Sequence, residues 1–125
     1  MRALTTSRLA WGEPRVDHRL RELNFGRLEG HHWPAMGDER NQAILDFLDF
    51  AAPDGESVTD LRTRVLDFIE HLPSGRHLVF THGGVIRVLA REAKLDRFVA
   101  TGSVVALDWH RQEIVFLHEP GPVTS

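Results

Sequence analysis

His82 lies between an apolar run and two glycines, in Leu78-Val79-Phe80-Thr81-His82-Gly83-Gly84-Val85-Ile86-Arg87. That order predicts a buried strand over residues 77–81, a tight turn, and a helix over residues 84–94. In open α/β sheets the carboxyl end of a strand is the usual binding crevice, and the unpaired N–H groups opening the next helix favour an anion. Gly83 and Gly84 permit close approach of backbone to that anion. An imidazole in such a turn either binds an anion or caps the helix, and the stretch alone leaves both readings open. A phosphate monoester needs cationic donors for its dianion, a nucleophile in line with the leaving oxygen, and an acid to protonate that oxygen. His82 can donate to phosphate, and Glu22, in a glycine-bounded loop upstream, can serve as the acid.

The elements that must position these residues follow from periodicity. Residues 2–10 are compatible with a helical turn or two, stopped by Gly12 and Pro14, and Arg15-Val16-Asp17 reads as a short strand. Residues 19–30 mix charged and apolar side chains around Gly26 and Gly30 with no clean period, as a functional loop does. His31-His32-Trp33-Pro34 continues it, and residues 41–50 place Ile44, Leu45, Phe47 and Leu48 on one helical face. The loop 31–40 and that helix are candidates for the lid that selects a leaving group, with His31, His32 and Trp33 as candidate contacts.

Pro53-Asp54-Gly55 is a turn, and Ser57 followed by Asp60 is a capping box opening a helix. Its apolar stripe is Val58, Leu61, Val65, Phe68, Ile69 and Leu72, with Asp60, Arg62, Arg64, Asp67 and Glu70 facing water. Pro73-Ser74-Gly75 ends it. The second helix buries Val85, Ile86, Val88 and Leu89. Residues 104–109 and 113–117 form a hairpin at a sheet edge, and residues 120–125 a flexible tail.

At 125 residues, with 42% hydrophobic and 26% charged content, the chain is one globular domain's worth. A net charge of −3 advertises no face to nucleic acid or anionic lipid. No apolar run is long enough to span a bilayer, and the absence of cysteine fits a reducing cytoplasm. Eight histidines raise the question of a metal, but there is no His-Glu-x-x-His pair and adjacent His31 and His32 cannot easily face one ion. Neither a metal nor a cofactor is expected. Trp11, Trp33 and Trp109 read as core or loop anchors, since no basic groove accompanies them.

Three stretches in order carry a resemblance: Leu20-Arg21-Glu22-Leu23-Asn24-Phe25-Gly26-Arg27-Leu28-Glu29-Gly30, Pro53-Asp54-Gly55-Glu56-Ser57, and Phe80-Thr81-His82-Gly83-Gly84-Val85-Ile86-Arg87. The chain resembles the histidine phosphatase superfamily, in particular its phosphoglycerate-mutase-like branch with the α-ribazole phosphatases. The resemblance implies a three-layer α/β/α fold with a mostly parallel sheet. It also implies a phosphohistidine mechanism, in which a histidine of an N-terminal Arg-His-Gly motif attacks phosphorus. By the same resemblance His82 is the second pocket histidine and Glu22 the proton donor. Arg2, in Arg2-Ala3-x-x-Thr6, matches a phosphate-binding arginine, although Ser7 stands where alanine is usual. Gly83 joins Arg2 and His82 as a phosphate-binding position.

No Arg-His-Gly occurs in these residues, so residues 1–119 are expected to be a partial, N-terminally truncated histidine phosphatase domain. Three functions then compete. The first is a phosphomonoesterase for a small phosphorylated metabolite, with negligible activity in this form because the nucleophile is missing. The second is a module that binds a phosphate-like anion without turnover, and the third an inert or interacting fragment that associates through an exposed sheet edge.

Overall fold

The computed structural model describes residues 2–29 and 38–121. Helix α1, Arg2–Ala10, precedes two single-turn 3-10 segments at His18–Leu20 and Gly26–Leu28. Helices α2 (Asp38–Asp46), α3 (Val58–Glu70) and α4 (Gly83–Arg91) follow, and strands β1 (Val104–Asp108) and β2 (Glu113–His118) close the order. His31, His32, Trp33 and most of the loop 31–40 of the expected lid lie outside the described residues, as do Met1, Gly30 and residues 122–125.

Helix α3 starts where its capping box predicts. The Ser57 hydroxyl accepts from the Asp60 N–H at 3.0 Å, and the Asp60 carboxylate accepts from the Ser57 N–H at 3.2 Å. Val58, Leu61, Val65 and Phe68 are buried from its stripe, and Val85 and Val88 of α4 join the same core. Helix α2 ends four residues before the expected limit. Phe47, φ 49°, follows it in the left-handed region, and its N–H donates to the Ala43 carbonyl at 3.0 Å. Such a conformation is unfavourable for an aromatic residue, and burial offsets it: Phe47 is 1% exposed and meets Phe98 edge-on at 5.1 Å. The turn rotates the apolar face, so Ile44, Phe47 and Phe50 are buried whereas Leu45 and Leu48 are exposed.

The chain is α/β, but the expected mostly parallel sheet does not form among the described residues. Their sheet is the β1–β2 antiparallel hairpin, with an irregularity between Ala106 and Leu107. Residues 15–17 are not a strand, and residues 77–81 join no ladder. The reason for the second departure is physical: a parallel strand exists only through hydrogen bonds to its neighbours' backbone, and no described strand pairs with 77–81. The segment is held instead at its ends, by the His77 ring on the Pro73 carbonyl at 2.8 Å and by the Thr81 hydroxyl donating to the Leu20 carbonyl at 2.8 Å.

Candidate functional site

Two of the sequence stretches dock through their glycines. Gly26, φ 54°, faces the 53–55 turn so closely that a Cβ there would sit 2.2 Å from the Pro53 carbonyl oxygen, and one on Gly55 would sit 2.3 Å from the Asn24 carbonyl oxygen. Only a bare backbone fits either place. The contact is sealed by Arg27 N–H to the Pro53 carbonyl at 2.9 Å and Glu56 N–H to the Asn24 carbonyl at 2.8 Å. The loop 19–30 is thereby fixed against the start of α3.

The third stretch meets the same loop from the other side. The Gly84 N–H, at the head of α4, donates to Glu22 Oε2 at 3.0 Å, and the Leu23 N–H donates to Oε1 at 2.9 Å. A Cβ on Gly84 would lie 2.3 Å from Glu22 Oε1 and 2.9 Å from Phe47 Cζ, whereas one on Gly83 would meet nothing nearer than Phe98 Cδ1 at 3.9 Å. The close approach that Gly84 permits is thus to a carboxylate of this chain, leaving Gly83 as the open glycine. His82 takes the N-cap position of α4 in extended conformation without a side-chain cap bond. Its half-buried ring has no hydrogen-bond partner among the described residues, so the capping alternative does not hold.

Arg64 and Arg87 depart from the helical reading. Arg64, expected to face water, keeps only 12% of its side chain exposed. Nε and Nη2 fork onto Glu56 at 2.9 Å each, Nη1 reaches the Arg19 and Arg21 carbonyls at 2.7 Å each, and Nη2 the Glu22 carbonyl at 3.0 Å. These hydrogen bonds hold the Glu56 carboxyl below the ordinary carboxylate range, outweighing the opposite effect of its partial burial. Arg87, 5% exposed, lies over the Phe98 ring and donates to the Leu45 and Asp46 carbonyls at the end of α2 and to Asp96. Arg91 adds bonds to the Phe47 and Asp46 carbonyls at 2.6 Å each. Sequence spacing held a hint of both. Arg64 is three residues from Leu61 and four from Phe68, at the margin of the buried stripe, and Arg87 and Arg91 are one turn apart on one face.

The structure therefore brings Glu22 to the start of α4, where His82 and Gly83 also lie. Arg2, at the start of α1, is exposed and makes no hydrogen bond or ion pair among the described residues. Bonds at that helix include that of Ser7, whose hydroxyl donates to the Gly12 carbonyl at 3.0 Å, and that of Arg8, paired with Glu13 at 2.6 Å. No group of three or more His, Asp or Glu residues placed to hold a metal occurs among the described residues.

The profile of the histidine phosphatase superfamily (branch 1) matches residues 1–119. The chain belongs to that superfamily. It is 32% identical over 94 residues to "Putative phosphoserine phosphatase 2" of Hydrogenobacter thermophilus, covering 70% of this chain and 46% of that protein. It is 40% identical over 75 residues to "Probable phosphoglycerate mutase GpmB" of Escherichia coli, covering 54% of this chain and 35% of that protein. The chain thus spans less than half the length of these two relatives. The crystal structure of phosphoglycerate mutase from Thermus thermophilus superposes with a TM-score of 0.88 at 37% identity, over 97% of this chain and 70% of that one. A second crystal structure from that organism gives a TM-score of 0.91 at 36% identity, over all of this chain and 70% of its own. In this chain residues 19–30 dock on 53–57 and on the head of α4, so the three stretches meet in space. Among the described residues no helix is long and apolar enough to cross a membrane.

Proposed function

We propose that this chain carries the phosphate-binding and proton-donating part of a phosphomonoesterase site for a small phosphorylated metabolite, with Glu22 as the acid and His82, Gly83 and Arg2 as phosphate donors. The observation that carries the reading is the Glu22 carboxylate seated on the Gly84 amide at 3.0 Å, across 62 residues of sequence, beside a histidine whose ring is unpartnered among the described residues. An anion at the start of α4 would meet the His82 ring and the Gly83 N–H on one side, and a group able to protonate a leaving oxygen on the other.

Histidine phosphatases attack phosphorus with the histidine of Arg-His-Gly, a tripeptide that does not occur in these 125 residues. The polypeptide as it stands is therefore a binder without a phosphoenzyme step. In a chain as long as its relatives, residues 77–81 would take a ladder partner and lead into the site as a strand of a mostly parallel, three-layer sheet.

Thermal melts in orthovanadate or phosphate test the binding. Saturating anion should raise the melting temperature, by linkage worth about 2.7 kcal/mol at a hundredfold excess over Kd. His82→Ala should remove most of that rise, and an absent rise in the unsubstituted protein overturns the proposal. A chromogenic phosphomonoester should show negligible turnover. Turnover lost on both His82→Ala and Glu22→Ala would contradict the missing step and require another nucleophile within these residues.

A further inference from the structure

Glu22 sits on a loop without regular secondary structure, yet its carboxylate is held to a single place. The cause lies behind the loop. An arginine carries five N–H donors in a rigid planar fork, and each donor of Arg64 is used: Nε on Glu56, both of Nη1 on the Arg19 and Arg21 carbonyls, and both of Nη2 on Glu56 and the Glu22 carbonyl. Three of these bonds go to backbone carbonyls within the turn that ends at Glu22. The other two go to Glu56, whose Oε1 also accepts from the Asn24 N–H at 2.9 Å, on the far side of Glu22. Arg64 and Glu56 therefore grip the loop on both sides of the acid. A lysine could not replace this arrangement, because an ammonium has three donors and no plane.

We infer that Arg64 is a positioning residue for Glu22, holding the loop so that the carboxylate stays on the Gly84 amide. The inference rests on the reading of Glu22 as the acid, but the geometry can be tested without any ligand. The Gly84 amide proton, which donates to Glu22 Oε2 from 62 residues away, reports the position of the carboxylate in 1H–15N spectra of the 125-residue chain. The Leu23 amide, in the same peptide group as the Glu22 carbonyl, responds to loss of the Arg64 bond as well. Glu22→Gln sets the signature of an altered acceptor. Arg64→Met should shift both amides at least as far from their original positions as Glu22→Gln does. Arg64→Lys should shift them part of the way. Arg62→Met, on the same helix as Arg64, breaks the Arg62–Glu92 pair between α3 and the end of α4 and should leave both unchanged.

If Arg64→Met lowers the melting temperature yet leaves the Gly84 amide in place, Arg64 is merely structural and the inference falls, whatever the Leu23 amide does. Should Arg64→Met not fold, Arg64→Lys decides, and an unchanged Gly84 amide there overturns it equally. The vanadate melts of the unsubstituted protein test the functional reading separately: their failure removes the acid's role and leaves the amide result standing as geometry.

Discussion

Gly84 and Gly83 are adjacent and both glycine, but they stand under different constraints. A methyl group on Gly84 would overlap the Glu22 carboxylate and the Phe47 ring, and one on Gly83 would find ordinary contact distances. Gly84→Ala is expected to destabilise by about 1–3 kcal/mol, as overpacking of a filled site does. Gly83→Ala should lie within about 1 kcal/mol of the unsubstituted protein, since alanine is the better helix former. Chemical denaturation of both variants checks this, and equal costs would contradict the asymmetry. The local sequence offers both glycines to an anion, and the family resemblance singles out Gly83 as the phosphate position. Which one faces a side chain depended on a carboxylate 62 residues away.

At the scale of elements, α4 fixes the end of α2 as well as Glu22. Arg87 and Arg91 occupy the Leu45, Asp46 and Phe47 carbonyls that the end of a helix leaves unpaired. Arg87→Met should cost about 1–3 kcal/mol by stranding the Leu45 carbonyl and taking one of two donors from that of Asp46. Arg62→Met, at the exposed Arg62–Glu92 pair, should cost about 0–1 kcal/mol. Comparable losses in urea denaturation would refute the assignment. Helix α3, the capping box and the hairpin were legible because each is written locally, in a helical apolar stripe, a Ser57/Asp60 pair and two short apolar runs. The end of α2 was not, because a strained Phe47 held by Phe98 and Arg91 sets it. The strand expected over 77–81 failed for the complementary reason: its apolar pattern is local, but its hydrogen bonds must come from a neighbour.

For the whole molecule, several ion pairs give stability a common pH dependence. Hydrogen bonds from Arg64 lower the Glu56 pKa, hydrogen bonds from Arg91 and then Arg87 lower that of Asp96, and hydrogen bonding to Arg19 lowers that of Asp17 to about 2. Each group is more acidic folded than unfolded, so its contribution is full above the unfolded value, roughly pH 4, and is lost as pH falls through the folded one. Melting temperature should therefore be level near neutrality and fall below about pH 4, with a shallower fall in Glu56→Gln. An unchanged slope in that variant would show that the fork does not couple to folding. On the same scale the motif order was legible in the sequence, and the docking of Gly26 on Gly55 and of Glu22 on Gly84 gives that order its physical meaning. The burial of Arg64 was only hinted at by its place at the margin of the stripe, because periodicity assigns a charged residue there to water, and the carbonyls it binds belong to another segment.

The most direct test of the account is a vanadate titration of the 15N-labelled chain. A phosphate site there should give saturable shifts centred on the Gly83 amide and its neighbours at the head of α4, lost in His82→Ala. Shifts confined to other surfaces, or none at saturating vanadate, would contradict the claim that the start of α4 is a phosphate site.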